Sequence, residues 1–251
     1  ANTDRDSYYG PGNDPLKAYG KTTDLTAMGG AQYVHTFDKC FFMPSDLTAG
    51  LEYNRDRLKD NMWGYNRHTD QTVNIYSAFL QNEWKNDRWG ILIGGRLDKH
   101  NMVDNVIFSP RANLRFNPTQ NINLRLSYSS GFRAPQAFDE DMHIENVGGT
   151  VAMIERAKDL KEEKSQSFSV SADMYHRFGA FQTNLLIEGF YTRLTDVFVL
   201  GKPYDRGDGI LVKTRSNGPG AKVMGLTLEG KVAYLSILQI QAGLTLQRKI
   251  G

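Results

Sequence analysis

A chain of 251 residues with a formal net charge of +2 and a single cysteine has the length of one domain and no compositional bias that selects a fold. Near-neutral charge without a Lys/Arg block argues against nucleic acid as a partner, and Cys40 alone excludes an internal disulfide framework. No run of 18 apolar residues occurs, which excludes a membrane-spanning helix but not a membrane-spanning β-barrel, whose strands need an apolar residue only at every second position.

In chain order, residues 1–25 are rich in turn formers and read as an extracellular loop. Strands are expected at 26–38 and 47–57, joined by the Pro-containing segment 40–46, and a polar stretch with Trp63, Tyr65 and His68 runs from there to Asp70. Strands at 72–85 and 89–99 are separated only by Asn86-Asp87-Arg88, and a loop at 100–105 leads to a strand at 106–116. After a turn at 117–120, Ile122, Leu124, Leu126 and Tyr128 alternate with Asn123, Arg125, Ser127 and Ser129, so one face of this strand is apolar and the other polar. Pro135 lacks a backbone donor and ends that strand. A long segment, 133–164, follows. Strands are then expected at 165–177 and 181–198, a Gly-rich loop at 201–221, and strands at 222–234 and 238–249 around a turn near Ser236.

Short turns and long polar loops take turns along the chain. In an outer-membrane barrel, one rim carries tight periplasmic turns and the other extends into recognition loops. A soluble β-sandwich has strands of about five or six residues and no such bias, whereas these strands have the length of tilted bilayer-crossing strands. The expected fold is therefore all-β: an antiparallel transmembrane β-barrel, present as a fragment of about ten strands with short periplasmic turns and long extracellular loops.

Gly131-Phe132-Arg133-Ala134-Pro135 resembles the FRAP box of TonB-dependent outer-membrane receptors. Gly94 to Asp98 is similar to the family's GxRxD strand, Ser109 to Leu114 to its SPRxxL strand, Asp159 to Ser165 to its NPxLKPExS box with Ala157, Lys158 and Glu162 in place of Asn, Pro and Pro, and Val223 to Gly230 to its VxGxExE strand with Thr227 in place of the first Glu. The resemblance covers roughly residues 70–250. It implies that residues 1–251 are part of a receptor barrel, without the family's plug domain and closing C-terminal strands. It also implies a bacterial outer-membrane location in contact with lipid, and energy-coupled uptake of a scarce bulky nutrient: a ferric siderophore, haem, cobalamin or a glycan. The TonB energy-transducing complex would be a partner through the absent plug, with a metal chelate or another small molecule as ligand. Two rivals are a passive porin and an outer-membrane hydrolase or adhesin barrel.

No catalytic or nucleotide-binding motif occurs, so an enzyme is not expected, and neither a cofactor nor a resident metal is implied. Candidate ligand contacts lie in the long segments: Trp63 and Tyr65, Tyr204, and Arg133, Asp139, Glu140, Asp141 and His143. The resemblance suggests haem ligation for His143; the plainer reading is a loop histidine beside three carboxylates. Those carboxylates could take a divalent cation, but three adjacent carboxylates are far more often just a solvated loop. Arg111, Arg115 and Arg125 are expected to face the lumen, either toward an anionic ligand and the plug or paired with Asp173, Glu188 and Glu229. Trp84, Trp89, Phe116 and Phe178 beside the short turns read as a membrane girdle. Gly148-Gly149 offers a hinge in 133–164, and deleting residues 139–156 is expected to leave every strand ladder intact.

Overall fold

The computed structural model describes residues 2–8, 19–63, 67–136, 145–147, 150–207, 211–235 and 237–250. Its strands are β1 (Asn2–Tyr8), β2 (Tyr19–Cys40), β3 (Met43–Met62), β4 (Arg67–Lys85), β5 (Trp89–His100), β6 (Ile107–Thr119), β7 (Ile122–Arg133), β8 (Glu145–Val147) and β9 (Thr150–Arg156). They continue as β10 (Glu163–Phe178), β11 (Phe181–Thr195), β12 (Phe198–Leu200), β13 (Tyr204–Asp205), β14 (Leu211–Asn217), β15 (Ala221–Tyr234) and β16 (Leu238–Ile250). Eleven of them form one sheet in the order β1-β2-β3-β4-β5-β6-β7-β10-β11-β15-β16, each antiparallel to its neighbours. This is an open up-and-down barrel wall with β1 and β16 at its edges.

Register carries the alternation of single strands across the whole sheet. Leu114 stands opposite Leu126, Leu126 opposite Val170, and Val170 opposite Gly189. Gly189 faces Leu226, which in turn faces Leu246. The resulting band is solvent-exposed: Leu126 is 52% and Leu246 61% exposed, while among the described residues the buried apolar core is small. A soluble fold would hide such a contiguous apolar surface; facing lipid, it is the favourable arrangement. Aromatic pairs mark both edges of the band. Beside the short turns, Trp89 stacks on Phe116 at 4.2 Å and Phe42 on Trp84 at 5.7 Å. Toward the loops, Tyr53 stacks on Tyr76 at 4.9 Å and Tyr128 lies 4.7 Å from Phe168. On the opposite face Gly50 lets the Phe79 ring of β4 lie across the β3 backbone, where any Cβ would collide.

Several boundaries differ from the sequence expectation, for physical reasons. Residues 2–8 pair with residues 19–25 of β2, so the described parts of the polar N-terminal stretch are strand. β2, β3 and β4 run 22, 20 and 19 residues, far beyond the nine to eleven needed to cross the bilayer. Their outer halves are polar on both faces and stay extended because neighbouring ladders satisfy their backbones. The segment expected to join β2 and β3 shrinks to a turn at Phe41, whose φ is 62°, and Phe42. β6 continues through Asn117 and Pro118 to Thr119, with a register shift after Phe116. β11 stops at Thr195, where Asp196 takes φ 54°.

The long segments also hold strands of their own. β8, β9, β12, β13 and β14 build a second, smaller sheet in the order β12-β14-β9-β8, with β13 on β14. β9 and β14 come from different loops and pair in parallel. Beneath this cap Val103, Ile107 and Ala134 form a small buried cluster against Phe132.

Candidate functional site

The two longest connections meet over one end of the sheet and are tied together. Ala157 donates its backbone N–H to Arg215 O at 2.9 Å, and Phe198 N–H binds Glu163 Oε2 at 2.9 Å. The Arg133 guanidinium lies 5.6 Å from the centre of the Phe198 ring, so the base of the first loop touches the start of the second. The cap also binds the barrel rim, since Arg156 Nη1 donates to Gln71 Oε1 at 3.0 Å and to Pro135 O at 2.8 Å.

Between cap and rim lies a cavity of about 650 Å³. Its walls include Arg67 and His68 from β4, Met153, Glu155 and Arg156 from β9, Lys158 and Arg206. Buried Asp60 fixes Arg67 by accepting from Nε at 3.0 Å and Nη2 at 2.9 Å, and also accepts from Thr22 Oγ1 at 2.7 Å. Such a two-nitrogen clamp holds the guanidinium plane in a set orientation. Glu155 is the carboxylate in the wall, 3.7 Å from Arg206. Among the described residues, four cations stand against two acids, Glu155 and the buried Asp60 behind Arg67, which leaves this mouth positive and suited to a bulky anion.

His100 supports the same rim. It is fully buried, accepts Met102 N–H on Nδ1 at 3.0 Å, and places Nε2 3.3 Å from Gln136 Oε1. These partners call for a neutral ring with its proton on Nε2, and burial holds its pKa below the usual histidine range.

The structure distributes the sequence candidates unevenly. Arg133 sits at the end of β7 at the loop base, Trp63 at the tip of the β3–β4 hairpin, half exposed, and Tyr204 in β13 at the edge of the cap. Tyr65, Asp139, Glu140, Asp141 and His143 lie outside the described residues. Arg111, Arg115 and Arg125 are all on the polar face, with Arg115 directly opposite Arg125. Among the described residues no ion pair joins these arginines to Asp173, Glu188 or Glu229: Asp173 accepts instead from Tyr175 Oη and Asn184 Nδ2, and Arg115 donates to Asn86 O at 3.1 Å. The cavity cations Arg67, Arg156, Lys158 and Arg206 were not singled out from sequence. Arg156 and Lys158 fall within the long loop expected to carry selectivity, whereas no local motif marks Arg67, which reaches the rim by pairing with Met62 across the β3–β4 tip. The expectation that removing 139–156 spares every ladder is corrected, since β9 lies inside that range and pairs with β14.

An outer-membrane β-barrel with a capped, cation-lined mouth is the class this fold and cavity define. The chain belongs to the family of TonB dependent receptor-like β-barrels, whose model matches residues 1–251, and members of that family are outer-membrane proteins. It is 23% identical over 206 residues to the probable hemoglobin and hemoglobin-haptoglobin-binding protein 3 of Haemophilus influenzae, covering 80% of this chain and 18% of that protein. Among solved structures, the siderophore receptor PirA from Pseudomonas aeruginosa superposes with a TM-score of 0.74 at 17% identity, covering 92% of this chain and 43% of that one. A ferric enterobactin receptor (PfeA) mutant from Pseudomonas aeruginosa gives 0.69 at 20% identity, with 93% and 37% covered. The FrpB iron transporter from Neisseria meningitidis gives 0.64 at 14%, with 92% and 36% covered. At these identities the structural likeness speaks for the fold. The chain spans less than half of each of these relatives.

Proposed function

We propose that the protein containing this chain is a receptor that takes up a scarce, bulky anionic iron chelate across the outer membrane, driven through the TonB complex. The observation that carries this reading is the cavity of about 650 Å³ walled by Arg67, Arg156, Lys158 and Arg206 at the loop end of the barrel. A ferric siderophore with several ionised oxygen donors is a large anion and gains from several fixed cations at once, whereas cobalamin or a neutral glycan gains little. The printed names of PirA and PfeA, a siderophore receptor and a ferric enterobactin receptor, support the same ligand class. Arg111, Arg115 and Arg125 extend the positive character down the polar face, which is the lumen side in this reading.

Binding of ferric catecholate and of cyanocobalamin to the full-length receptor tests the ligand class. Arg156→Ala with Arg206→Ala is expected to weaken the catecholate by 10- to 100-fold, and wild-type receptor is expected to bind cobalamin no better than a barrel lacking the cap. Unchanged catecholate affinity in the double variant would remove the cavity from the account. The name of the Haemophilus influenzae relative favours haem as a second reading. In that case His143→Ala would abolish a haem absorbance shift in the wild-type receptor.

A further inference from the structure

Two guanidiniums in the cavity wall are held to the rim in opposite ways. Asp60 orients Arg67 and also cancels its charge, with the two side chains only 3% and 10% exposed. The oxygens that hold Arg156 to the rim carry no formal charge: its Nη1 donates to Gln71 Oε1 at 3.0 Å and to Pro135 O at 2.8 Å. A guanidinium only donates, so the Gln71 amide must turn its oxygen and not its nitrogen toward Arg156. Gln71 is 8% exposed and stands opposite Leu58 on β3, two residues along β4 from Thr69, which stands opposite Asp60. The same face of the hairpin thus offers one arginine an acid and the other an amide.

For fastening the cap, the amide is the weaker choice. A carboxylate of the same length at position 71 would make a charge-assisted bond to the same nitrogen, roughly twice as strong as a neutral one. What the amide preserves, and a carboxylate would remove, is positive potential in the cavity. Arg206 resembles Arg67 in having an acid beside it, Glu155 at 3.7 Å. Lys158, two residues beyond Arg156 in the same wall, makes no ion pair among the described residues.

We propose that Gln71 is a positioning residue for anion recognition: it fixes the Arg156 guanidinium at the cavity wall without neutralising it, so that an anionic group of the ligand supplies the counter-charge. Arg156 and Lys158 then carry the charge recognition, while Arg67 and Arg206, each beside an acid, chiefly shape the wall. This role rests on the anionic-chelate reading above.

The test measures binding of a ferric triscatecholate, a multiply charged anion, to the full-length receptor at low and at high salt. Gln71→Glu is expected to weaken binding at least tenfold and to flatten its salt dependence, because the new carboxylate takes the ligand's place beside Arg156. Gln71→Met removes the acceptor and leaves the charge, so binding should weaken about fivefold with wild-type salt dependence. A purely structural role predicts the reverse order, since the carboxylate strengthens the fastening and methionine breaks it. Amide exchange of β9 in the ligand-free receptor reports that fastening, and in Gln71→Glu it is expected to be no faster than in wild type. Gln71→Met brings no new charge into the rim and keeps the test decisive if the carboxylate impairs folding. Wild-type affinity in Gln71→Met would overturn the proposal, as would a Gln71→Glu receptor with wild-type affinity or wild-type salt dependence. Wild-type receptor that does not bind the catecholate at all would instead remove the anionic-chelate reading, and this role with it.

Discussion

Asn217 closes both sides of the Lys161 peptide: its Oδ1 accepts Lys161 N–H at 2.8 Å and its Nδ2 donates to Lys161 O at 3.1 Å. The same amide donates to Asp196 O at 2.7 Å. One side chain thus imitates a strand partner for the returning end of the first loop while fixing the start of the second. With the parallel β9–β14 pair, it makes the two loops one body.

Asn217→Ala removes three hydrogen bonds, each worth about 1 kcal/mol net, so the joined loop base should open more readily. Amide exchange at Leu160 and Lys161 in the full-length receptor is expected to speed up by roughly 150-fold, with β10 and β11 unchanged. Exchange no faster than wild type would show that the parallel pair alone couples the loops.

The outward band supplies a second expectation. Leu126→Arg places a guanidinium in the lipid near mid-height and should cost about 2 to 4 kcal/mol, whereas Gln241→Arg, on the other face of β16, should cost little. Folding titrations of the full-length protein into vesicles measure both. Equal costs would mean that the faces are wrongly assigned.

How much of this was legible in the sequence follows from what each feature depends on. Alternation at Ile122 to Tyr128 and at Leu238 to Leu246 is local, so the faces and the ten longest strands could be read directly. The outer halves of β2 to β4 could not, because residues such as Arg55, Asp56, Arg57 and Asp60 are polar on both faces and extend only through pairing with neighbours. The cap was illegible for a stronger reason. β9 and β14 are short, lie 55 or more residues apart in the chain, and find each other in parallel, an arrangement without a hairpin signal. The cavity inherits that blindness, since its cations are brought together by the cap.

Asp56 gives a pH dependence. Burial, and then its hydrogen bond to Asp24, push its carboxyl up from 3.8 to about 6. The folded state therefore holds a proton that the unfolded state releases. This contribution to stability is full below pH 3.8 and is lost as pH rises through 6. Asp56→Asn keeps a donor without the charge. Protection of the outer β2–β3 ladder at pH 7.5 should be greater in this variant than in wild type and nearly equal at pH 4. An identical pH profile in both would show that the pair does not control the ladder.

Sidedness is testable in intact cells on a Cys40→Ser background. Lys158→Cys, in the exposed cap-side loop, should react with an impermeant maleimide, and Gln120→Cys, in the short β6–β7 turn, should not. Labelling at position 120 would invert the topology.

The most direct test of energy-coupled uptake is accumulation of radioactive iron supplied as a ferric catecholate to cells whose only iron receptor is the full-length protein. The account predicts accumulation that stops on addition of a protonophore and falls at least tenfold in the Arg156→Ala, Arg206→Ala variant. Accumulation that continues at the same rate without a proton gradient would contradict it and identify a passive pore.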